Sequence, residues 1–290
     1  MSARKGRVSR ALACLLGSSL LVAAAGPHSA DAGFLRNGVT AHRGNSGEHP
    51  ENTLPALQSG IDIGADWIEI DVFRARDGKL VVTHDRATAR VGDRDLDVVK
   101  SDYAELKKAD VAADFRRRNK LTLAECPKQT MPLLSEVIAM VMKQRKTRLS
   151  IQPKTACVSD AVALIKRMNA QDWVGFNDGN LEYMSEVKRL APEIPVFWDR
   201  GESDLAADIQ IARDRGFEAL VLNHRALTRA KVELIHKAGL RAGVWTVNDE
   251  GAMRGFLKMG VDRIYTDYPA RLLRLTQFPD RPGGVERLPR

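Results

Sequence analysis

The sequence predicts an α/β fold: a (β/α)8 TIM barrel with a small hairpin and insertion near the barrel mouth, at about residues 76–130. Three observations predict it. After residue 36, about eight short β-rich runs alternate with longer amphipathic stretches, the order that builds a parallel sheet from βα units. Runs such as Ala219-Leu220-Val221-Leu222 are apolar without alternation, as strands covered on both faces must be. The chain is 290 residues long, which leaves room for the roughly 250 residues that this closed barrel usually takes. A doubly wound open sheet is the alternative, but no glycine-rich dinucleotide fingerprint follows the first strand.

The elements follow in order. Arg4, Lys5, Arg7 and Arg10 precede an apolar run at 11–25, and Ala30-Asp31-Ala32 is a small-x-small cleavage signature. Residues 1–32 therefore read as a secretory signal peptide, which makes the protein exported, periplasmic or secreted. An uncleaved anchor is the alternative, although a span needs about 20 apolar residues. Strands are expected at 38–42, 67–73, 147–153, 173–177, 194–198, 218–222, 241–247 and 262–266. Helices are expected at 134–145, 159–170, 180–191, 204–215, 228–238 and 249–259, with another starting near Leu54-Pro55. One unit breaks the alternation. Asp77-Gly78 between two strand-like runs signals a tight hairpin, so 80–84 should double back antiparallel and return His84 toward the ends of the first strands. Residues 85–130 carry many charges and little periodicity, and are expected to form an excursion above the barrel. The barrel is expected to span 33–276, and 277–290, rich in Pro, Gly and Arg, to be a loose tail.

Composition bounds the function. The formal net charge is +8, from 45 Lys and Arg against 37 Asp and Glu. Loss of residues 1–32 removes four basic residues and one acid, leaving about +5. That weakens a nucleic-acid reading, and no stable membrane insertion is expected once the signal is gone. Cys14 leaves with the signal. Cys126 and Cys157 remain, and two cysteines in an exported chain suggest one disulfide; two unpaired thiols are the alternative.

The chemistry concentrates at predicted strand ends, where barrels of this kind keep their sites. His42 and Arg43 end the first strand. Glu69 and Asp71 stand two apart on the second and so share a face, while Ile68, Ile70 and Val72 face the covering helices. Two carboxylates inside a barrel are costly without a cation between them. A divalent metal would supply it; Arg43 and Lys154 are the other candidates. Glu51 either faces the N-terminus of the helix behind it, capped by Asn52 or Thr53, or belongs to the site. His84 joins His42 as a second imidazole that can exchange protons near neutral pH. Gln152 and Lys154 share a face on the third parallel strand, and Lys154 is a candidate phosphate cation. Trp245 is either an apolar wall for a small alcohol or a core aromatic.

These residues lie in motifs, HRGNSGEHPENTLPAL, GADWIEIDVFRARDGKLVVTHD, MPLLSEV, VWTVND and GVDRIYTDYP, that resemble the glycerophosphodiester phosphodiesterase family from about residue 39 to 272. The resemblance implies the same barrel with its hairpin insertion, and hydrolysis of a small glycerophosphodiester to glycerol 3-phosphate and an alcohol. It implies His42 and His84 as the acid/base pair, Arg43 and Lys154 on the phosphate, and Glu69 and Asp71 on a calcium or magnesium ion. Gln152 departs from the family, which normally has glutamate there as the third metal carboxylate. An amide oxygen can still ligate a hard cation, but the site loses one negative charge. The departure leaves three readings: a weaker metal site with intact activity, an altered substrate or metal, or a non-catalytic phosphodiester-binding relative. A related barrel acting on a phospholipid, in the manner of a phospholipase C or D, is a further alternative.

Overall fold

A computed structural model describes residues 36–277. The segment expected to be a signal peptide and nearly all of the expected tail lie outside the described residues. Eight parallel strands close on themselves: β1 (Val39–Ala41), β2 (Trp67–Arg74), β4 (Arg148–Pro153), β5 (Val174–Asp178), β6 (Val196–Arg200), β7 (Ala219–Asn223), β8 (Arg241–Trp245) and β9 (Arg263–Thr266). The pairing of β1 with both β9 and β2 completes the ring. All eight expected strands are present. The antiparallel β3 (Leu80–Val82) pairs with β2, Phe73 opposite Val81, so the Asp77-Gly78 turn builds the expected hairpin. Gly78 takes φ +78°, which glycine adopts without strain.

The covering helices are α1 (Leu54–Ile63), α4 (Leu134–Val141), α5 (Val158–Arg167), α6 (Leu181–Leu190), α7 (Leu205–Arg215), α8 (Arg229–Lys237), α9 (Glu250–Met259) and α10 (Pro269–Gln277). Their starts follow capping chemistry. Thr53, Asn180, Asp204, Thr228 and Asp249 each accept a hydrogen bond from a first-turn backbone N–H, satisfying groups the helix leaves open. Thr53 is thus the cap of α1, with Pro55 in the first turn. The outward faces of the strands, including Ile68, Ile70 and Val72, join the helices in one continuous buried core. Inside the barrel, Trp67, Phe197, Ala219, Val221 and Tyr265 form a second cluster, with the Arg263 guanidinium 3.5 Å from the Phe197 ring centre. The lower barrel is therefore plugged, and the polar interior positions sit above it.

The excursion at 85–130 holds α2 (Tyr103–Leu106) and α3 (Ala113–Arg118). Val98, Leu106, Val111 and Met131 pack on Phe73, Ala75 and Val81 as a small core of their own. Helices of four and six residues are too short to show a 3.6-residue period. One expectation, the disulfide, needs correction: it is not formed. Cys126 lies in the excursion, and Cys157 sits under β2 with its thiol directed at the Val72 carbonyl; both are buried and free. α10 runs through Gln277.

Candidate active site

The chain leaves β1 through a turn held in unusual backbone conformations. Arg43 and Asn52 both have φ +56° and Gly44 φ +81°. A Cβ on Gly44 would fall 2.6 Å from the Ala56 backbone, so only glycine lets α1 approach here. Left-handed non-glycine residues are strained and persist where surrounding contacts enforce them. Here the Arg43 N–H donates to Glu69 Oε2 at 3.0 Å, and the Asn52 N–H donates to the Arg43 carbonyl at 3.0 Å. The Asn52 side chain brackets Asp71. Its Nδ2 donates to Asp71 Oδ2 at 2.9 Å, and its Oδ1 accepts from the Asp71 N–H at 3.3 Å. The strained turn therefore locks β1 and α1 onto the two interior carboxylates of β2.

A pocket of about 560 Å³ opens at the C-terminal ends of the strands. His42, Arg43, Glu69, His84, Gln152, Lys154, Asn177, Asp199 and Trp245 are among its lining. Seven of the nine residues singled out in the sequence line it. Asp71 and Glu51 stand just behind. Asp71 forms ion pairs with Lys154 Nζ at 3.2 Å and Arg43 Nε at 3.4 Å. Glu51 does not face the α1 N-terminus. It binds Arg43 Nη1 at 3.0 Å and is forked by Arg90 at 2.6 and 2.8 Å, tying the Arg43 turn to the excursion. Trp245 lines the pocket and packs on the interior aromatic cluster.

The two histidines are held alike but poised differently. Nδ1 of His42 lies 2.7 Å from Asp267, and Nδ1 of His84 lies 2.6 Å from Asp85. Asp267 has two further side-chain partners, the Ser46 hydroxyl and the Asn248 amide, both neutral, so its charge supports an imidazolium. Asp85 shares its charge with Arg90. Burial pulls the His42 pKa down, yet the Asp267 bond and the nearby Glu69 charge outweigh it and hold the imidazole above its ordinary value. Burial pulls His84 below its ordinary value, helped by Arg43 and Lys154, and neither Asp71 nor Asp85 recovers it. Such a split is how acid and base roles are divided.

The carboxylates diverge too. Burial and the charge on Asp71 push Glu69 well above the carboxylate range. Burial acts the same way on Asp71, but Lys154, Arg43, His84 and Asn52 overcome it and keep Asp71 ionised. Among the described residues, no three His, Cys, Asp or Glu side chains converge as a metal site. The donors present are Glu69, Asp71 and the Gln152 amide oxygen. A buried carboxylate forced toward neutrality by its neighbour's charge is relieved by a cation between them, so this hard-oxygen set fits a divalent ion.

Asn52, Arg90, Asn177, Asp199 and Asp267 complete the site without having been legible as its residues. Asp85 adjoins His84 and Asp267 lies within GVDRIYTDYP, but the His42–Asp267 contact needs β9 to close beside β1. Asp199 is pushed up to about 8 by burial, against the Asn177 hydrogen bond that favours its charge.

The model of the glycerophosphoryl diester phosphodiesterase family matches residues 42–271. A glycerophosphodiester phosphodiesterase of Caldanaerobacter subterraneus is 29% identical over 85% of this chain and 98% of its own. One of Bacillus altitudinis is 28% identical over 82% and 98%. The solved phosphodiesterase of Oleispira antarctica, in complex with the product sn-glycerol-3-phosphate, superposes with a TM-score of 0.72. It is 26% identical, over 82% of this chain and 96% of that one. On the family match across nearly the whole described barrel, the chain belongs to the glycerophosphoryl diester phosphodiesterase family and is a phosphoric diester hydrolase.

Proposed function

We propose that the protein is an exported, cation-dependent enzyme that hydrolyses glycerophosphodiesters to glycerol 3-phosphate and an alcohol, with His84 as general base and His42 as general acid. One observation carries this: two pocket imidazoles, each oriented through Nδ1 by its own aspartate, with opposite displacements of pKa beside the Arg43 guanidinium. With Nδ1 bonded to a carboxylate, each ring presents Nε2 as its reactive nitrogen. Neutral His84 takes the proton from the attacking water as its oxygen bonds to phosphorus; where a substrate hydroxyl attacks instead, a water must then open the cyclic phosphate to give glycerol 3-phosphate. Protonated His42 gives its proton to the leaving alkoxide as the P–O bond breaks, so the alcohol departs neutral. Arg43 and Lys154 hold the phosphate oxygens. Glu51 and Asp71 fix the Arg43 fork from behind, and Trp245 supplies an apolar wall for the alcohol. Glu69, Asp71 and Gln152 would hold a calcium or magnesium ion, which when bound offsets negative charge on the substrate oxygens.

A small substrate is preferred to a phospholipid. Among the described residues the exposed large apolar side chains are Leu123, in the excursion, and Leu234, on α8, too few to make an apolar rim for a lipid surface. The decisive assay is release of glycerol 3-phosphate from glycerophosphocholine, with and without EDTA, by the chain from residue 33 onward. Turnover that vanishes in EDTA, returns with calcium or magnesium and falls at least 100-fold in His42→Ala supports the proposal. Undiminished turnover in EDTA removes the cation, and a full rate in His42→Ala removes the acid.

A further inference from the structure

Gln152 is fixed from both sides. Its Nε2 donates to Asp199 Oδ2 on β6 at 3.3 Å, and its Oε1 accepts from Lys154 Nζ at 2.9 Å. An ammonium can only donate, so Lys154 leaves the amide one orientation: oxygen toward Lys154, nitrogen toward Asp199. Asp199 is itself placed. Its Oδ2 also accepts from Asn177 Nδ2 at 3.1 Å, and Asn177 Oδ1 accepts from the Ser150 hydroxyl at 2.7 Å. The other Asp199 oxygen is buried without a hydrogen-bond partner. On the next strand pair, the register sets Asp71 directly beside Gln152. Ser150, Asn177 and Asp199 thus form a polar chain across β4, β5 and β6 that ends on the Gln152 amide.

We propose that Asp199 is a positioning residue for Gln152, and that the Gln152–Asp199 pair does together what a single glutamate at position 152 would do. Asp199 holds the amide so that Gln152 offers an oxygen to the site, and its own acidic group lines the same pocket. The pairing also explains why glutamine stands at 152. A glutamate there would set one carboxyl oxygen against another across the 3.3 Å contact, in place of the N–H donor that the amide supplies. The amide is therefore the residue that this neighbourhood accepts. The inference rests on the reading that Gln152 faces a bound cation, and it changes the expectation for restoring the family residue. Gln152→Glu alone is unfavourable, and Asp199→Asn makes it favourable, because the Asn amide can donate to the new carboxylate.

The test is a double-mutant cycle over wild type, Q152E, D199N and Q152E/D199N. It has two readouts: calcium affinity by calorimetric titration with CaCl2, and the thermal midpoint in EDTA. Q152E is expected to improve calcium affinity at least tenfold more in the D199N background than beside Asp199. In EDTA it is expected to lower the thermal midpoint beside Asp199 and to leave it near that of D199N in the double variant. Equal effects of Q152E in both backgrounds, in both readouts, overturn the proposal. If none of the four binds calcium or magnesium, the cation reading fails, and the EDTA midpoints still decide whether the two residues are coupled. If Q152E does not fold and the double variant does, the coupling stands; if neither folds, it is overturned.

Discussion

The division of labour between the histidines can be tested at Asp267. Asp267→Asn keeps the size of the side chain and removes its charge. The contact to His42 Nδ1 is 2.7 Å long, between groups 19% and 29% exposed, so it is screened less than a surface pair. A hydrogen bond to a charged group contributes about 1.5–3 kcal/mol, and each 1.36 kcal/mol is tenfold in rate. The variant should therefore lose roughly tenfold to 150-fold in kcat/KM on glycerophosphocholine. The sign in pH follows from the direction of the shift. Asp267 is what lifts the His42 pKa against burial, so without it the imidazolium loses its proton at lower pH. The acid form that protonates the leaving group is then lost earlier, and the alkaline limb of the kcat/KM profile moves down and narrows the bell. The assay is kcat/KM from pH 5 to 10, followed by release of glycerol 3-phosphate. A variant within twofold of wild type, with an unmoved alkaline limb, would refute the acid assignment and the role of Asp267 together.

Other expectations are smaller in scope. Asp85→Asn removes a group that raises the His84 pKa; the base stays neutral to lower pH, so the acid limb moves down and the bell widens, and an acid limb moving up would contradict this. Thr53→Ala removes the α1 cap and should cost about 1 kcal/mol, seen as a thermal midpoint lower by about 2–4 °C. Ile138→Ala, on the fully buried face of α4 and outside the pocket lining, should cost about 2–5 kcal/mol in chemical unfolding, with kcat per folded molecule unchanged.

Much of the architecture was legible because it rests on local signals. Alternation of apolar runs with amphipathic stretches marks βα units, Asp77-Gly78 marks the hairpin, and the two-residue spacing of Glu69 and Asp71 puts both on the inner face whatever the tertiary detail. The central pocket residues could be found for the same reason: they sit at strand ends. What stayed hidden depends on ring closure and neighbouring strands. The Asp267 carboxylate reaches His42 across 225 positions of sequence, and Asp199 reaches Gln152 across 47. Neither spacing carries a local signature. Glu51 was ambiguous because a carboxylate before a helix is ordinarily explained by the helix dipole; only Arg90, on a short 3-10 turn of the excursion, shows that it bridges two arginines. The disulfide expectation failed because cysteine count bounds pairing without placing the partners.

The charge balance of the pocket separates substrate binding from cation binding. Glu69 is driven toward its neutral form by burial and by Asp71, and Asp199, at about 8, is largely neutral at pH 7. Asp71 remains as an ionised carboxylate against two cations, Arg43 and Lys154. The side chains alone therefore present a positive surface to a phosphate group, with guanidinium and ammonium donors that match its oxygens. Inorganic phosphate should consequently bind in EDTA, and should lose most of that binding in Lys154→Ala or Arg43→Ala, as measured by calorimetry at low ionic strength. Losing the cation should then lower kcat far more than it raises KM, because the phosphate grip persists while transition-state charge goes uncompensated. If phosphate binding disappears in EDTA with Arg43 and Lys154 intact, these two side chains do not suffice to hold the substrate, and the cation must be part of the binding site itself.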